Sequence, residues 1–260
     1  MVIDLNADVG ESYGAWVMGA DEDLMPLITS TNVACGAHAG DPLTMWRTVA
    51  LAKRHGVAVG AHPGYPDRDG FGRRDLPMTP YELEASLLAQ MGALSAICGA
   101  LGVQLTHVKP HGALYNRAAA DIDLAACVAG AVARLPGRLT LVGLAGSALI
   151  DAALAAGLPV ADEAFADRAY EPDGSLRSRS LPGAVHTDPA VAAAQAVSIA
   201  RDGRVRAHDG STLELRADTI CIHGDTPGAA AIGRAVREAL AAAGIDVRPL
   251  AVEVRPLKSV

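Results

Sequence analysis

Side chains able to move protons, hold anions or ligate metals recur in a few short segments punctuated by glycine. They are Asn6-Ala-Asp8-Val-Gly-Glu11, Asn32-Val-Ala-Cys35-Gly-Ala-His38-Ala-Gly-Asp41, Gly60-Ala-His62-Pro-Gly-Tyr65-Pro-Asp67-Arg68-Asp69-Gly-Phe71-Gly-Arg73, His107-Val-Lys109-Pro-His111-Gly-Ala-Leu-Tyr115-Asn116 and His223-Gly-Asp225-Thr226. A sparser sixth is Asp162-Glu163 followed by Arg168. Asp8, Glu11, His62 and His111 are candidate bases, since a neutral imidazole is available near pH 7. Lys109, Arg73 and Arg168 are candidate cations for an anionic group or for developing negative charge. Asn6 and Asn32 can donate amide hydrogen bonds. On this reading Asp8, Glu11, His62, Lys109 and His111 carry catalysis. Asn6, Asn32, His38, Arg73, Tyr115, Arg168, His223 and Asp225 contact substrate.

Other roles compete at several positions. Asp8, His38 and His62 could hold a divalent metal, or His38 and His62 could be hydrogen-bonded rim residues. His107 and His111 have the spacing of a helical metal pair, but on an extended segment broken by Pro110 they would stand roughly 13 Å apart. Cys35 is either a nucleophile or, more simply, a small buried thiol. The run from Asp67 to Arg74 reads equally as a solvated loop or a functional flap. His55 falls in the last turn of a helix, where it complements the dipole. His186 and His208 read as structural. Lys109, directly after an apolar run and between two histidines, is best explained by contact with substrate.

The elements that must position these groups alternate. Candidate strands are Val2–Leu5, Leu27–Val33, Val57–Gly60, Gln104–Val108, Leu139–Val142, Pro159–Ala161 and Thr219–Ile222. They read as continuous apolar runs, as strands buried on both faces of a parallel sheet do. Between them Asp41-Pro42, Thr79-Pro80, Asp188-Pro189 and Thr226-Pro227 open helices that end near Gly56, Gly102, Gly203 and Gly244. Weaker helical patterns cover Leu124–Leu135 and Ser147–Ala156. Residues 204–215 alternate around Asp209-Gly210 and predict a surface β-hairpin outside the sheet. Asp162–His186 predicts a long functional connection. Strand–helix repetition implies right-handed crossovers and a parallel sheet, closed as a barrel or open and doubly wound. Five of the eight histidines (His38, His62, His107, His111, His223) fall at or just after the C-terminal end of an expected strand. That is the edge where α/β folds build their sites.

Bulk properties narrow the classes. The chain has 260 residues and a formal charge of -7, half its residues are apolar and 3% are aromatic. This length fits one large α/β domain, residues 1–260, with no composition shift to divide it. Net acidity argues against a general nucleic-acid binder, which needs a basic face. No run of about 18 residues is wholly apolar, so no membrane span is expected. The N-terminus carries Asp4 and Asp8 where a signal peptide would be basic and then apolar, and the four cysteines form no CxxC pair, so a cytoplasmic location is expected. There is no GxxxxGK[ST] and no GxGxxG after a strand, hence no motif for ATP or NAD.

The five richer segments together resemble the LamB/YcsF family, co-linearly, from residue 2 to about residue 256. The resemblance implies a seven-stranded (β/α) barrel of the glycoside hydrolase/deacetylase type. It implies a subunit of an ATP-dependent 5-oxoprolinase, a hydrolase of a cyclic amide C–N bond that converts 5-oxo-L-proline (pyroglutamate) to L-glutamate with hydrolysis of ATP to ADP and phosphate. It also implies two partner subunits resembling the parts of an allophanate hydrolase or biotin-dependent carboxylase. With no phosphate-binding motif here, ATP is expected mainly on a partner, and a divalent metal such as Mg either accompanies it or binds the rim. The alternatives are a stand-alone metal-dependent deacetylase or amidohydrolase using Asp8, His38 and His62, and a lactam- or sugar-binding module without turnover.

Overall fold

The computed structural model describes residues 1–226 and 228–250. The expected helix opener Pro227 and the end of the expected single domain, residues 251–260, lie outside the described residues.

Seven parallel strands close into a barrel: β1 (Val2–Val9), β2 (Ser30–Ala34), β3 (Ala58–His62), β4 (Leu105–Val108), β5 (Thr140–Leu144), β6 (Val160–Phe165) and, after a separate two-stranded hairpin of β7 (Arg204–Arg206) and β8 (Thr212–Glu214), β9 (Thr219–His223). Closure is made by β9, which pairs with β6 on one side and β1 on the other. The hairpin turns at Asp209-Gly210 as expected, with Gly210 at φ +90°. A short β10 (Asp246–Val247) adds to the start of β1.

Helices α1 (Asp21–Leu24), α2 (Pro42–His55), α3 (Pro80–Ala100), α4 (Gly112–Ala118), α5 (Ile122–Ala133), α6 (Ala148–Ala155), α7 (Pro189–Val197) and α8 (Ala229–Ala242) accompany the strands. Asp41 caps α2 through the Thr44 amide, and Thr79 and Glu82 form a reciprocal capping box on α3. Asp188 caps α7 through Ala190. The fourth expected opener behaves differently: Thr226 donates its hydroxyl to Asp167 at 3.2 Å, and α8 begins at Ala229 after Gly228 at φ +79°. Asp121 caps α5, which starts at Ile122, two residues before its expected start, and the short α4 has no counterpart among the expected helices. By length and composition α3 could cross a membrane. Here Leu83, Leu87, Met91, Leu94 and Cys98 are buried in the fold, and the Gln90 amide exchanges hydrogen bonds with the backbone of Gly64.

The strands differ from the expected continuous apolar runs in one respect that decides everything downstream. On β1, Ile3, Leu5, Ala7 and Val9 join the hydrophobic layer between strands and helices, while Asp4, Asn6 and Asp8 bond across the barrel interior. Both faces are buried, but the inner one is polar. Apolar runs therefore stop short of the real strand ends: β1 continues to Val9, β3 to His62 and β6 to Phe165. In consequence Asn6, Asp8, His62 and Glu163 stand in the barrel wall rather than in loops beyond it, and the connection expected from Asp162 begins only after Phe165. At its other end β2 starts later than expected, at Ser30, because Met25–Leu27 forms a 3₁₀ turn around Pro26.

Candidate active site

A cavity of about 460 Å³ opens at the C-terminal mouth of the barrel, within the size range of small-molecule sites. Its floor is organised by Lys109, which follows β4 and keeps its amide on the β3 ladder through the Ala61 carbonyl. The buried ammonium lies 2.9 Å from Asp8 Oδ1, 2.8 Å from Glu163 Oε1 and 3.1 Å from Cys221 Sγ. The ring of Phe165 lies beneath it at 5.3 Å. Burial alone would discharge both partners of such a pair, but their mutual attraction reverses that. Against the burial effect, Asp8 and then Cys221 and Glu163 hold the Lys109 ammonium well above its usual range. Likewise His62 and Lys109 outweigh burial and hold the Asp8 carboxyl well below its own. The floor is thus a fixed cation between two carboxylates.

Under the floor runs a hydrogen-bond network. Asn32 donates to Asp8 Oδ1 at 2.8 Å and to Asn6 Oδ1 at 2.7 Å; Asn6 donates to Glu163 at 3.0 Å and Thr219 at 2.6 Å. His107 reaches Asn32 Oδ1 at 3.0 Å, and burial pushes its imidazole down to about 3, so it is neutral. Its ring lies directly over Gly60, where any Cβ would collide with it, so that position requires glycine. Asn6 and Asn32, expected to touch substrate, are therefore below the cavity. Their amides are consumed in orienting Asp8 and Glu163, a consequence of their place on the inner face of β1 and β2.

One wall is a cluster of imidazoles. His62 donates from Nδ1 to the Lys109 carbonyl at 2.7 Å, and His111 donates from Nε2 to the Phe71 carbonyl at 2.8 Å, tautomers assigned from those acceptors. His62 Nε2 and His111 Nδ1 then face each other at 3.0 Å, with Asp8 Oδ2 3.4 Å from the former and Glu11 Oε1 4.0 Å from the latter. His38 stacks flat on His111 at 3.7 Å, behind the cavity surface. Phe71, at φ +54°, turns its carbonyl to His111 and its ring edge-on to His38 and His111. That backbone conformation is strained for a bulky side chain and clusters at functional sites. Gly72 (φ +65°) lets the loop close over both residues: a Cβ there would lie 2.8 Å from the His111 ring and 2.8 Å from the His38 Cβ. The stretch 67–74 is a packed flap, in which Arg68 lies over the Tyr13 ring and Arg74 pairs with Asp67. Burial, then neighbouring histidines, push His38 and His111 well down, and burial with Asp8 nearby pushes Glu11 well up.

The metal set expected from sequence is redrawn here. His38 and His62 gather with Glu11 and His111, whose ligand atoms all lie within 4.8 Å of one another. Asp8 touches only His62 in that group, because Lys109 and Asn32 take its other oxygen. His107 and His111, paired by spacing alone, go to different places, one below the floor and one in this wall.

The opposite wall holds His223, whose Nδ1 lies 2.9 Å from the buried Asp167 and whose ring stacks on Phe165 at 5.4 Å. Against burial, His223 holds the Asp167 carboxyl below its usual range. Above them Arg168, Arg177 and Arg179 line the mouth. Arg168 donates to the carbonyls of Ala184 at 3.2 Å and Arg177 at 2.6 Å, and burial, then Arg179, lower it to about 10. Among the described residues no carboxylate forms a salt bridge with Arg168 or Arg179, whereas Arg177 pairs with Glu171. Arg73 and Asp225, both expected to meet substrate, pair with each other at 2.5 Å across the mouth. Tyr115 completes the lining. Cys35 is a buried thiol donating to the Val33 carbonyl, and burial pushes it up to about 12, which leaves it unreactive.

Of the expected site residues, Asp8, Glu11, His62, Arg73, Lys109, His111, Tyr115, Arg168, His223 and Asp225 line the cavity, and Asn6, Asn32 and His38 support it from behind. Glu163 stands in the sparser sixth segment of the sequence without a role assigned to it, and Asp167, with Phe165 between them, was missed. They are spaced by two along β6 and its continuation, the period of a strand facing inward. Arg177 and Arg179, on the long connection, carried no sequence signal.

The LamB/YcsF family profile matches residues 3–255. A protein of Chloroflexus aggregans, named as the A subunit of 5-oxoprolinase, is 61% identical over 95% of this chain and 98% of its own length. One of the same name from Methylococcus capsulatus is 53% identical, with 95% of each chain covered. The crystal structure of a lactam utilization protein from Thermus thermophilus superposes with a TM-score of 0.90 at 51% identity, covering 95% of this chain and 99% of that one. A putative cellobiose-phosphate cleavage protein from Enterococcus faecalis, 13% identical with a TM-score of 0.59 over 95% of this chain and 97% of its own, shares the fold alone.

Proposed function

The chain belongs to the LamB/YcsF family, and from that premise we propose that it is the ring-opening subunit of an ATP-dependent 5-oxoprolinase. It cleaves the lactam of 5-oxo-L-proline to L-glutamate while ATP is hydrolysed to ADP and phosphate. It acts with two partner subunits that resemble the parts of an allophanate hydrolase or biotin-dependent carboxylase. The observation that carries this reading is the division of one cavity into two arginines, Arg168 and Arg179, that form no carboxylate salt bridge among the described residues, an Asp167–His223 pair and a buried lysine.

5-Oxoproline is a five-membered amide carrying a carboxylate. Arg168 and Arg179 take the carboxylate, since a guanidinium offers paired donors to it. The lactam carbonyl lies toward Lys109, whose charge stabilises negative charge developing on oxygen as water adds. His223, with Nδ1 held by Asp167, presents Nε2 as the base for that water. An unstrained lactam resists attack by water, and ATP overcomes the resistance by phosphorylating the amide oxygen. Water then adds to the phosphorylated carbon, the C–N bond breaks as the proton taken by His223 passes to the ring nitrogen, which leaves as an amino group, and a second water splits the resulting acyl phosphate into glutamate and phosphate. The phosphorylating half, with ATP and its Mg, is assigned to a partner, in keeping with the missing phosphate-binding motifs.

Mixing the purified chain with its candidate partners and measuring pyroglutamate-dependent ADP release tests the reading. The full mixture should release ADP and glutamate while the single chain is nearly silent. No pyroglutamate-dependent release by the mixture would overturn the substrate. Turnover by the single chain without nucleotide would overturn the ATP and partner assignments in favour of a stand-alone amidohydrolase.

A further inference from the structure

The imidazole wall contains more buried donor capacity than the proposed ring opening uses. His62 and His111 each commit one nitrogen to a backbone carbonyl, at 2.7 and 2.8 Å. That leaves two lone pairs aimed at each other at 3.0 Å. Neither nitrogen can donate to the other while both rings are neutral, so some positive species must lie between or beside them. His38 is 1% exposed, and among the described residues neither of its ring nitrogens has a hydrogen-bond partner. Glu11 is 4% exposed, and the one ion pair it forms among the described residues is a long one, to His111 at 4.0 Å. Unpaired buried polar groups of this kind cost of the order of 1–3 kcal/mol each and are rarely tolerated without a reason.

We propose that Glu11, His38, His62 and His111 bind one divalent transition-metal ion at the wall of the cavity. The ligand atoms already lie within 4.8 Å of one another, so small side-chain rotations bring them to a common centre. The carbonyl bonds of His62 and His111 are the outer contacts that fix tautomer and ring direction in histidine metal sites. His38 and His111 lie stacked under the Gly72 loop, in parallel planes 2° apart, so one of the two rings must turn when both take the same ion. Three imidazoles and one carboxylate suit zinc, cobalt or manganese, not magnesium or calcium, which prefer oxygen. A proton shared between His62 and His111 would account for their approach alone, leaving His38 and Glu11 unexplained. The other gathering of ligand types, Asp8, Cys221 and His223, already holds a cation, the Lys109 ammonium. Glu11, His62 and His111 line the cavity, so a bound ion would face it and act as a Lewis acid there.

The inference goes beyond the lactam reading and does not need it, because metal binding is read on the chain by itself. Chelator-stripped protein is titrated with Co²⁺, following its visible absorption, and then with Zn²⁺ in competition by calorimetry. One equivalent per chain is expected, with His38→Ala and His111→Ala each weakening affinity at least about 10-fold. His55→Ala, remote on α2, should bind as the parent does. Circular dichroism checks that each variant is folded, and Glu11→Gln, a near-isosteric change, serves if the alanine variants are not. The proposal falls if the unaltered chain shows no saturable binding. It also falls if folded variants at His38, His111 and Glu11 keep the parent affinity.

Discussion

Asp4 and Asp8 lie on the same strand, project into the same barrel and are 2% and 5% exposed, yet they are held in opposite ways. Asp4, toward the closed end, accepts from the hydroxyls of Thr29 at 2.7 Å, Ser30 at 2.6 Å and Thr219 at 2.5 Å. Among the described residues no cation forms a salt bridge with it, and burial pushes its carboxyl up from 3.8 to about 6. Asp8, at the mouth, has the Lys109 ammonium at 2.9 Å and His62 at 3.4 Å, and is kept ionised. Burial is equal, so the partners decide. One end of the barrel accommodates its acid by easing it toward the neutral form. The other keeps charges in place, in a low-dielectric floor where they act strongly on a bound ligand.

The comparison breaks most visibly at Lys109. Lys109→Met leaves Asp8 and Glu163 buried without their common partner, a change that costs about 3–5 kcal/mol in buried ion pairs. Activity of the complete assembly should fall by at least roughly 10³-fold, because the charge facing the substrate carbonyl is gone. Urea unfolding and the ADP-release assay measure the two effects separately. Adding Asp8→Asn to Lys109→Met should recover part of the stability and none of the activity. If the single variant unfolds like the parent, the lysine is not what holds Asp8.

That contrast was only partly legible in the sequence. Helix starts at Asp41, Thr79 and Asp188 could be read because an N-cap side chain works over a few residues, whatever the tertiary setting. The convergence of Asp8, His62, Lys109, His111 and His223 was legible too, since strand ends in this architecture point one way. The inner face of the barrel was not. Apolar runs mark a strand only where its faces are apolar, so they end β1 before Asn6 and β6 before Asp162, just where polar residues turn inward. Asn6 and Asn32 were accordingly given to substrate, and Glu163 and Asp167 were passed over. Arg73 with Asp225 joins the loops that follow β3 and β9, and Asp167 with His223 joins the ends of the neighbouring strands β6 and β9, 56 residues apart in the chain, so no local spacing announces such partners.

Asp167 extends the comparison to a third buried acid, one whose partner is an imidazole. Its carboxylate accepts from the backbone and ring of His223 and from the Thr226 hydroxyl. Asp167→Asn keeps the shape but removes the charge that fixes the His223 tautomer, so it should lower kcat of the assembly by roughly 10²-fold with little change in KM. A fall in kcat with KM held is a readout that mere loosening of the fold would not give. An unchanged kcat would mean that His223 is not the base.

The smallest effect tests the quiet end of the barrel. A carboxyl raised from 3.8 to about 6 on folding binds its proton more tightly in the native state. Its contribution to stability is therefore complete below the unfolded value and fades as pH rises through about 6, by roughly 3 kcal/mol in all. Asp4→Asn removes that titration while leaving an amide that the surrounding hydroxyls can bond. Relative to the parent, the variant should gain stability between about pH 4 and about pH 7 by a sizeable part of that amount, measured by denaturant unfolding at both ends of the interval. Turnover by the assembly should stay within about twofold of the parent, since Asp4 does not line the cavity. A stability difference that does not vary with pH would mean that Asp4 is ionised throughout, and that the two ends of β1 manage their charges alike.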